Sequence, residues 1–366
     1  MKKMCIISSN PDFLGGVSLY TWDTINELKK SKKYDIFWIY GGRSNRNYKK
    51  NGITLVEIKI PKIYPFNEII FNFKVKKFLE KNWFDIINSN AIWGFWLKNY
   101  KKKSNQKMVH TYHGSTYYFF KNHFKRNSFI KKISAFFSMK LGILMEKPPW
   151  IKADEIICVS EHVKRELEEL YGKRRKVTII HAKTDTKHFR PRNKKLIKEK
   201  LGLNLKNWYG LYVGRGGFWT KGLDRVINIS KEIYKKDKNY MLLVIGSDQE
   251  KVQNILKDKF VVILPPINRE NLPYYYNSSD IFFNLSRYEG GDPTLATGEA
   301  MASGCFVVCS NDARQEIIKN EVNGLVIRNF DKLAAEKILK VMDDKNKKEK
   351  MIKNSINKIT KLSQIH

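Results

Sequence analysis

Short apolar runs alternate with longer amphipathic stretches along this 366-residue chain, and the alternation narrows the possible folds more than anything else in the sequence. It is typical of parallel β-strands joined by crossover helices. It predicts strands near 3–9, 36–41, 54–60, 84–88, 108–112, 155–159 and 177–180. After a polar, basic stretch the alternation resumes and predicts strands near 210–214, 241–246, 260–264, 280–285, 305–309 and 324–327. The fold class is therefore α/β, with two Rossmann-like, doubly wound parallel sheets.

We place the N-terminal domain at 1–185 and the C-terminal domain at 186–345, followed by a helix at 346–366 that packs back on the N-terminal domain. Residues 331–362 carry no strand pattern and predict two Lys-rich helices. Ligands of open parallel sheets bind beyond the carboxyl ends of the strands. Two such sheets in tandem predict a cleft between the domains, with the binding site in it.

The chain is strongly basic, with 69 Lys and Arg against 36 Asp and Glu and a formal net charge of +33. Such a field attracts polyanions, which include nucleic acid, anionic lipid and phosphate-bearing substrates. Base bias of the genome explains Lys-rich usage equally well. Composition alone does not choose among these explanations.

The four cysteines, Cys5, Cys158, Cys305 and Cys309, lie in apolar runs and lack the spacing of a zinc or redox site. Apolar runs are too short to span a membrane. We expect a cytoplasmic protein, either soluble or peripheral on the inner face of the membrane.

Residues 117–150 interleave seven Lys or Arg with aromatic and aliphatic residues, and their one acidic residue is Glu146. A basic amphipathic helix of this kind binds an anionic membrane surface. The alternative is a helix that faces the core and turns its lysines to solvent.

The segment from Ser286 to Gly304, SRYEGGDPTLATGEAMASG, carries the sharpest local signal. Asp292 is predicted to cap a helix over 293–303. Free amides of Thr294 and Leu295 at its N-terminus suit a diphosphate.

Two acidic residues of this segment have predicted roles. Glu299 lies about 6 Å deeper along the helix than Leu295, which suits a ribose. The alternative is that Glu299 merely caps another group or faces solvent. Glu289, in the preceding loop, is the best candidate for contact with a sugar.

Three further segments are candidates. The glycine-rich turn GRGGFWTKG contains Arg215 and Lys221, and these two side chains could neutralise a phosphate. Gly15 and Gly16 close the first strand as a cradle for a phosphate or an acceptor. His113 ends another strand where a ligand would lie, although such a histidine is structural as often as functional.

These motifs, taken in order, resemble those of a retaining glycosyltransferase of the GT-B fold, family 4. The resemblance runs from Gly15-Gly16-Val17 through FDIINSN, HGS and ADEIICVSEHVKREL to LPYYYNSSDIFFNLSRYEG, GEAMASG and NEVNGLVI. It implies a donor that is a nucleotide-diphosphate sugar and an acceptor that is a glycan, a lipid-linked molecule or another hydroxyl compound.

The resemblance also implies roles for residues. Arg215 and Lys221 would contact the diphosphate with the amides near Thr294 and Leu295, and Glu299 would hold the ribose. Glu289 and His113 would touch the transferred sugar, and Gly16 would approach the phosphate or the acceptor.

The chain departs from the family pattern in three places. Nine residues rather than seven separate Glu289 from Glu299, so that Asp292 could share or take over the sugar contact of Glu289. Arg215 and Lys221 are one residue further apart than is common. The family's P-N-G-V-D-T hinge is replaced by a segment that begins at His181.

No D-x-D pair occurs in the sequence, so we expect neither a metal nor any other cofactor besides the donor substrate. A basic nucleic-acid-binding protein is the main alternative. Against it, the basic residues are dispersed and no nucleic-acid-binding motif is present, so we expect no nucleic-acid partner. A catalytically degenerate GT-B subunit, or a different reaction on the same fold, is a second alternative.

Overall fold

The computed structural model describes residues 1–12, 15–63, 66–124, 129–214, 218–246 and 258–364. The chain forms two compact units, Met1–His181 and Ala182–His366. Each has its own sheet and its own apolar core.

The described part of the first unit contains an eight-stranded sheet. The strands are Lys2–Ile7 (β1), Tyr34–Gly42 (β2), Arg46–Lys50 (β3), Ile53–Lys59 (β4), Ile86–Asn90 (β5), Lys107–Tyr112 (β6), Glu155–Cys158 (β7) and Val177–Ile179 (β8). Their order is β3-β4-β2-β1-β5-β6-β7-β8, and every pairing is parallel except that of β3 with β4. Because β1 lies between β2 and β5, the chain changes direction across the sheet beside β1.

Helices cover this sheet and close two apolar clusters, one centred on Cys5, Val75 and Ile156 and the other on Ile25 and Trp38. The helices are Gly16–Lys30 (α1), Phe66–Lys81 (α2), Thr116–Phe124 (α3), Phe129–Lys152 (α4) and Glu161–Tyr171 (α5), with a 3-10 helix at Ala91–Asn99.

The second unit has a six-stranded, all-parallel sheet among its described residues. The strands are Trp208–Val213 (β9), Tyr240–Ile245 (β10), Val261–Leu264 (β11), Ile281–Asn284 (β12), Phe306–Ser310 (β13) and Leu325–Ile327 (β14). Their order is β11-β10-β9-β12-β13-β14. Here β9 lies between β10 and β12, so the change of direction falls between β9 and β12.

Helices cover both faces of the second sheet as well. They are Lys194–Lys200 (α6), Leu223–Lys236 (α7), Leu272–Ser278 (α8), Leu295–Ser303 (α9), Lys332–Asp343 (α10) and Lys345–Gln364 (α11), with a 3-10 turn at Asn311–Ala313. The last of them, α11, packs on α9, α10 and β13. Its Met351 and Ile359 are buried in the apolar clusters on the two faces of the sheet.

Every strand predicted from the sequence is present, and so are the two Lys-rich C-terminal helices. Strand β3 was not predicted. Its sequence, RNYKK, is polar and mostly exposed, and only the antiparallel pairing with β4 makes it a strand. All four cysteines are buried and free, as their apolar runs predict.

Candidate active site

The most closely connected candidate side chains lie at the carboxyl ends of β9 and β12. Lys221 follows β9, Glu289 follows β12, and Lys221 Nζ lies 2.9 Å from Oε1 and 2.8 Å from Oε2 of Glu289. The Ser286 hydroxyl donates to Glu289 Oε1 at 2.6 Å. Glu289 is nearly buried, whereas the Lys221 side chain is 39% exposed. The pair therefore lies where this sheet changes direction, which is where open α/β sheets bind ligands.

The loop that carries Glu289 is fixed by its backbone. Arg225, on α7, donates to the carbonyl oxygens of Leu285 and Ser286 at 3.1 and 3.3 Å. The Ser310 hydroxyl, at the end of β13, donates to the same Ser286 oxygen at 2.6 Å. Two neighbouring elements thus hold the start of the loop that carries Glu289.

A buried ion pair supports the turn that carries Lys221. Both terminal nitrogens of Arg287 donate to the Asp224 carboxylate, at 2.8 and 2.6 Å, and Arg287 also donates to the Trp219 carbonyl oxygen. Gly222 has a φ of +72°, and a side chain there would collide with the Leu285 carbonyl oxygen. Glycine is required at this position because the turn passes so close to the start of the Glu289 loop.

The N-terminus of α9 differs from the sequence prediction. The helix covers Leu295–Ser303, and Thr294 is its cap, with a side chain that accepts a hydrogen bond from the Thr297 amide. Asp292 is not the cap, because its carboxylate accepts instead from the Ile317 amide at 3.1 Å.

The prediction that the Thr294 and Leu295 amides are free at this helix start is only partly confirmed. The Thr294 amide is not free, since it donates to the Gln315 side chain at 2.9 Å. The Leu295 amide has no acceptor among the described residues.

Asp292 itself is buried beneath the loop. Burial raises its pKa to about 6, although the Ile317 amide opposes the rise. The Asp292 carboxylate therefore contacts the Ile317 amide, whereas the Glu289 carboxylate contacts Lys221 and Ser286.

Glu299 is buried in the second turn of α9. The Tyr276 hydroxyl donates to its Oε2 at 3.1 Å, and Arg269 Nε lies 3.3 Å from its Oε1.

In the first unit, His113 lies just beyond the carboxyl end of β6. Its Nε2 is 2.9 Å from Asn90 Oδ1, and its ring packs edge-on against Tyr20 at 4.9 Å between centroids. Burial lowers the His113 pKa to about 4, so the ring is neutral at pH 7. His110, three residues earlier, is fully buried within β6.

Gly15 and Gly16 form the start of α1, as cap and first helical residue. A Cβ built on Gly16 would have no atom of the described residues within 4 Å, and its φ is not in the left-handed region. Neither packing nor backbone conformation requires glycine here.

Two family models match the chain. The model described as Glycosyltransferase Family 4 matches residues 14–188, and the model described as Glycosyl transferases group 1 matches residues 193–358. The chain is a group 1 glycosyltransferase of the GT-B fold.

Proteins similar to this glycosyltransferase match it over most or all of its length. An uncharacterized glycosyltransferase of Methanocaldococcus jannaschii is 24% identical over 353 residues, which are 93% of this chain and 89% of that protein. Sucrose-phosphate synthase of Thermosynechococcus elongatus is 19% identical, with a TM-score of 0.79 over 99% of this chain and 95% of that one. The Anabaena protein HepE, solved with UDP-glucose, is 14% identical, with a TM-score of 0.73 over 100% of this chain and 98% of that one.

The predicted site residues of the glycosyltransferase fall into separate groups. Lys221 is in direct contact with Glu289, and Asp292, Thr294, Leu295 and Glu299 belong to the adjoining loop and helix. Gly15, Gly16 and His113 belong to the first unit. Arg215 lies outside the described residues.

Sequence reasoning missed several residues that contact the predicted ones, among them Arg269, Tyr276 and Asn90. Arg269 and Tyr276 meet Glu299, and Asn90 meets His113. Asn90 carried a usable signal, since it is a polar residue that ends an apolar strand at the ligand edge of the sheet. Arg269 carried none, because only the tertiary fold brings it to α9.

Proposed function

We propose that this glycosyltransferase moves a sugar from a nucleotide-diphosphate sugar to a hydroxyl acceptor and retains the anomeric configuration. The Lys221–Glu289 pair at the change of direction between β9 and β12 is the observation that carries the proposal. A cation beside a hydrogen-bond acceptor is what a donor that joins a diphosphate to a sugar would need, and this supports the proposal. The complex of the similar HepE fold with UDP-glucose supports a donor of this class.

In this proposal Lys221 and Arg215 stabilise the leaving diphosphate, together with the amides at the start of α9. Glu299 accepts from the ribose hydroxyls. The charge of the diphosphate is balanced by basic residues, so the proposal includes no metal or other cofactor.

Retention follows the family resemblance. Both oxygens of Glu289 accept from Lys221, and Oε1 accepts also from Ser286. In the proposal this carboxylate orients a sugar hydroxyl and does not attack the anomeric carbon. The acceptor oxygen then bonds to the anomeric carbon on the face from which the diphosphate leaves. The acceptor's proton passes to the departing phosphate oxygen.

Calorimetric binding to UDP, GDP, ADP and their sugar conjugates tests the donor class. We expect one nucleotide series to bind, and we expect Lys221→Ala to lower kcat about 10²- to 10³-fold, as the loss of a preorganised charge stabiliser does. Lys231→Ala is the matched control, because Lys231 is similarly exposed and also pairs with a carboxylate, Asp258. Equal loss in both variants, or no binding of any nucleotide, would contradict the proposal.

We further propose that the acceptor is lipid-linked and that α4 binds an anionic membrane surface. None of the helices in the described parts of the chain is long and apolar enough to cross a membrane. Within the segment 117–150, residues 125–128 lie outside the described residues, and α4 covers Phe129–Lys152.

The outward face of α4 supports this second proposal. Ile133, Phe137, Leu144 and Ile151 recur at helical spacing and are 43–67% exposed. Lys140 and Lys147 lie on the same exposed face. The sole acidic residue, Glu146, is buried on the opposite face with Ala135, Met145 and Trp150. An exposed stripe of apolar residues and lysines matches the surface of an anionic membrane.

A further inference from the structure

Asn90 connects three strands at the point where the first sheet changes direction. It ends β5, which lies between β1 and β6, and its side chain is buried. Its Nδ2 donates to the Ile7 carbonyl oxygen at the end of β1, at 3.1 Å, and its Oδ1 lies 2.9 Å from His113 Nε2 beyond β6.

These two contacts determine which atoms carry protons. A carbonyl oxygen only accepts, so the amide nitrogen of Asn90 must face Ile7 and the amide oxygen must face His113. That oxygen also only accepts, so His113 donates from Nε2. A neutral imidazole has one N–H, and the lone pair is therefore on Nδ1.

The His113 ring is held in this orientation from another element. Tyr20 meets it edge-on at 85°, and Tyr20 lies one turn after Gly16 on α1. The titratable groups facing the ring among the described residues are Tyr20 and His110. Burial raises the pKa of Tyr20 and lowers that of His110 to about 3, so both are neutral at pH 7.

The described residues offer His113 Nδ1 no hydrogen-bond partner. The ring lies at the carboxyl ends of β5 and β6, beside the start of α1, where a doubly wound sheet receives its ligand. A neutral ring with a lone pair accepts a hydroxyl proton. It has nothing to offer a carboxylate, which also only accepts.

We propose that Asn90 is a positioning residue that holds His113 as the Nε2–H tautomer, so that Nδ1 accepts from a hydroxyl of the transferred sugar and disfavours donors with a carboxylate there. This inference rests on the proposed function and on the family resemblance, which implies that His113 touches the transferred sugar. It narrows the proposed donors to one class, in which the transferred sugar is neutral and not a uronic acid.

Nitrogen-15 NMR of protein labelled at its histidine rings tests the tautomer without any substrate. The His113 signals are assigned by their loss in His113→Gln. We expect the wild type at neutral pH to show protonated Nε2 and unprotonated Nδ1. A protonated Nδ1, whether from the other tautomer or from a charged ring, would overturn the inference.

Asn90→Asp tests the positioning role. It keeps an acceptor for Nε2 but adds a negative charge, which raises the His113 pKa towards or above its ordinary value of about 6.5. We expect an ionisation of His113 to appear in the pH profile of kcat/KM and in the NMR titration. Asn88→Asp is the matched control, because Asn88 is also buried in β5 but bonds to Thr111 instead.

Binding of UDP-glucose and UDP-glucuronate tests the selectivity, with GDP or ADP conjugates if that series binds. We expect the wild type to prefer the neutral sugar by about 2- to 12-fold, which is the effect of one hydrogen bond. The preference should shrink in Asn90→Asp and persist in Asn88→Asp. Equal preference in both variants would overturn the positioning role. If neither donor binds, the proposed function and the selectivity fail together, while the NMR result still decides the tautomer.

Discussion

Gly16 is a glycine that the fold of its own unit does not require. It occupies the first position of α1 with ordinary backbone angles, and the described residues leave open space where a Cβ would be. Gly298, by contrast, has no such room, since a Cβ there would collide with the Thr184 hydroxyl. A glycine that neither packing nor backbone demands is consistent with close approach by a substrate.

Gly16→Ala should therefore separate stability from activity. We expect an increase of about 0.4–1 kcal/mol in the free energy of unfolding, because alanine restricts the unfolded chain. We expect activity to fall, because the methyl group enters the space of the ligand. Urea unfolding and steady-state kinetics measure the two effects, with Gly298→Ala as the control that should lose stability. Unchanged activity in Gly16→Ala would show that no substrate comes near.

Asp292 gives stability a pH dependence. Because burial raises its pKa to about 6, its contribution to stability is complete below its unfolded pKa and is lost as pH rises through about 6. The substitution Asp292→Asn keeps an acceptor for the Ile317 amide and removes the charge. We expect this variant to gain about 1.4 kcal/mol relative to the wild type between about pH 5 and about pH 8. Urea unfolding at both pH values measures this, and a constant difference would contradict it.

At the scale of elements, α9 shows what the sequence could and could not predict. The strand before it, the helix itself and its end at Gly304 follow from local patterns, and all three are present. The start was wrong by two residues. Asp292 and Pro293 are a typical cap and first residue, but Ile317, 25 residues later, takes the Asp292 carboxylate. Local propensity therefore misplaced the start of the helix, because the contact between Asp292 and Ile317 is not encoded in the local sequence.

The outward face of α4 is the element with the clearest test of membrane binding. We expect Phe137→Ser with Leu144→Ser to reduce cosedimentation with vesicles of phosphatidylglycerol and phosphatidylcholine, because both side chains are more than half exposed. Leu333→Ser is the control, since Leu333 is equally exposed but lies on α10 in the other unit. Equal vesicle binding by the wild type and both variants would exclude this face as the docking surface.

For the whole molecule, periodicity and topology were predictable and long-range pairing was not. The alternation of apolar and amphipathic segments predicted both sheets, and the strand ends placed Lys221, Glu289 and His113 at ligand edges. The contacts of Arg269 with Glu299 and of Asn90 with His113 join residues 30 and 23 positions apart, and they appear only once the sheets are formed.

The net charge of +33 belongs to this scale too. We expect binding to anionic vesicles to weaken steeply as salt rises, because the Debye length falls from about 10 Å at 0.1 M to about 3 Å at 1 M. Purely phosphatidylcholine vesicles should bind much less at every salt concentration. Cosedimentation across a salt series measures this. Binding that does not change with salt would assign the interaction to the apolar residues alone.

The contact between Lys221 and Glu289 bears on turnover as well as on binding. A lysine that already has a carboxylate partner attracts an incoming diphosphate less strongly than a lone ammonium group would. When the nucleoside diphosphate leaves, the Glu289 carboxylate again pairs with the Lys221 ammonium group. In the proposed reaction this resident counter-ion lowers affinity for substrate and product alike, and so favours product release over product inhibition.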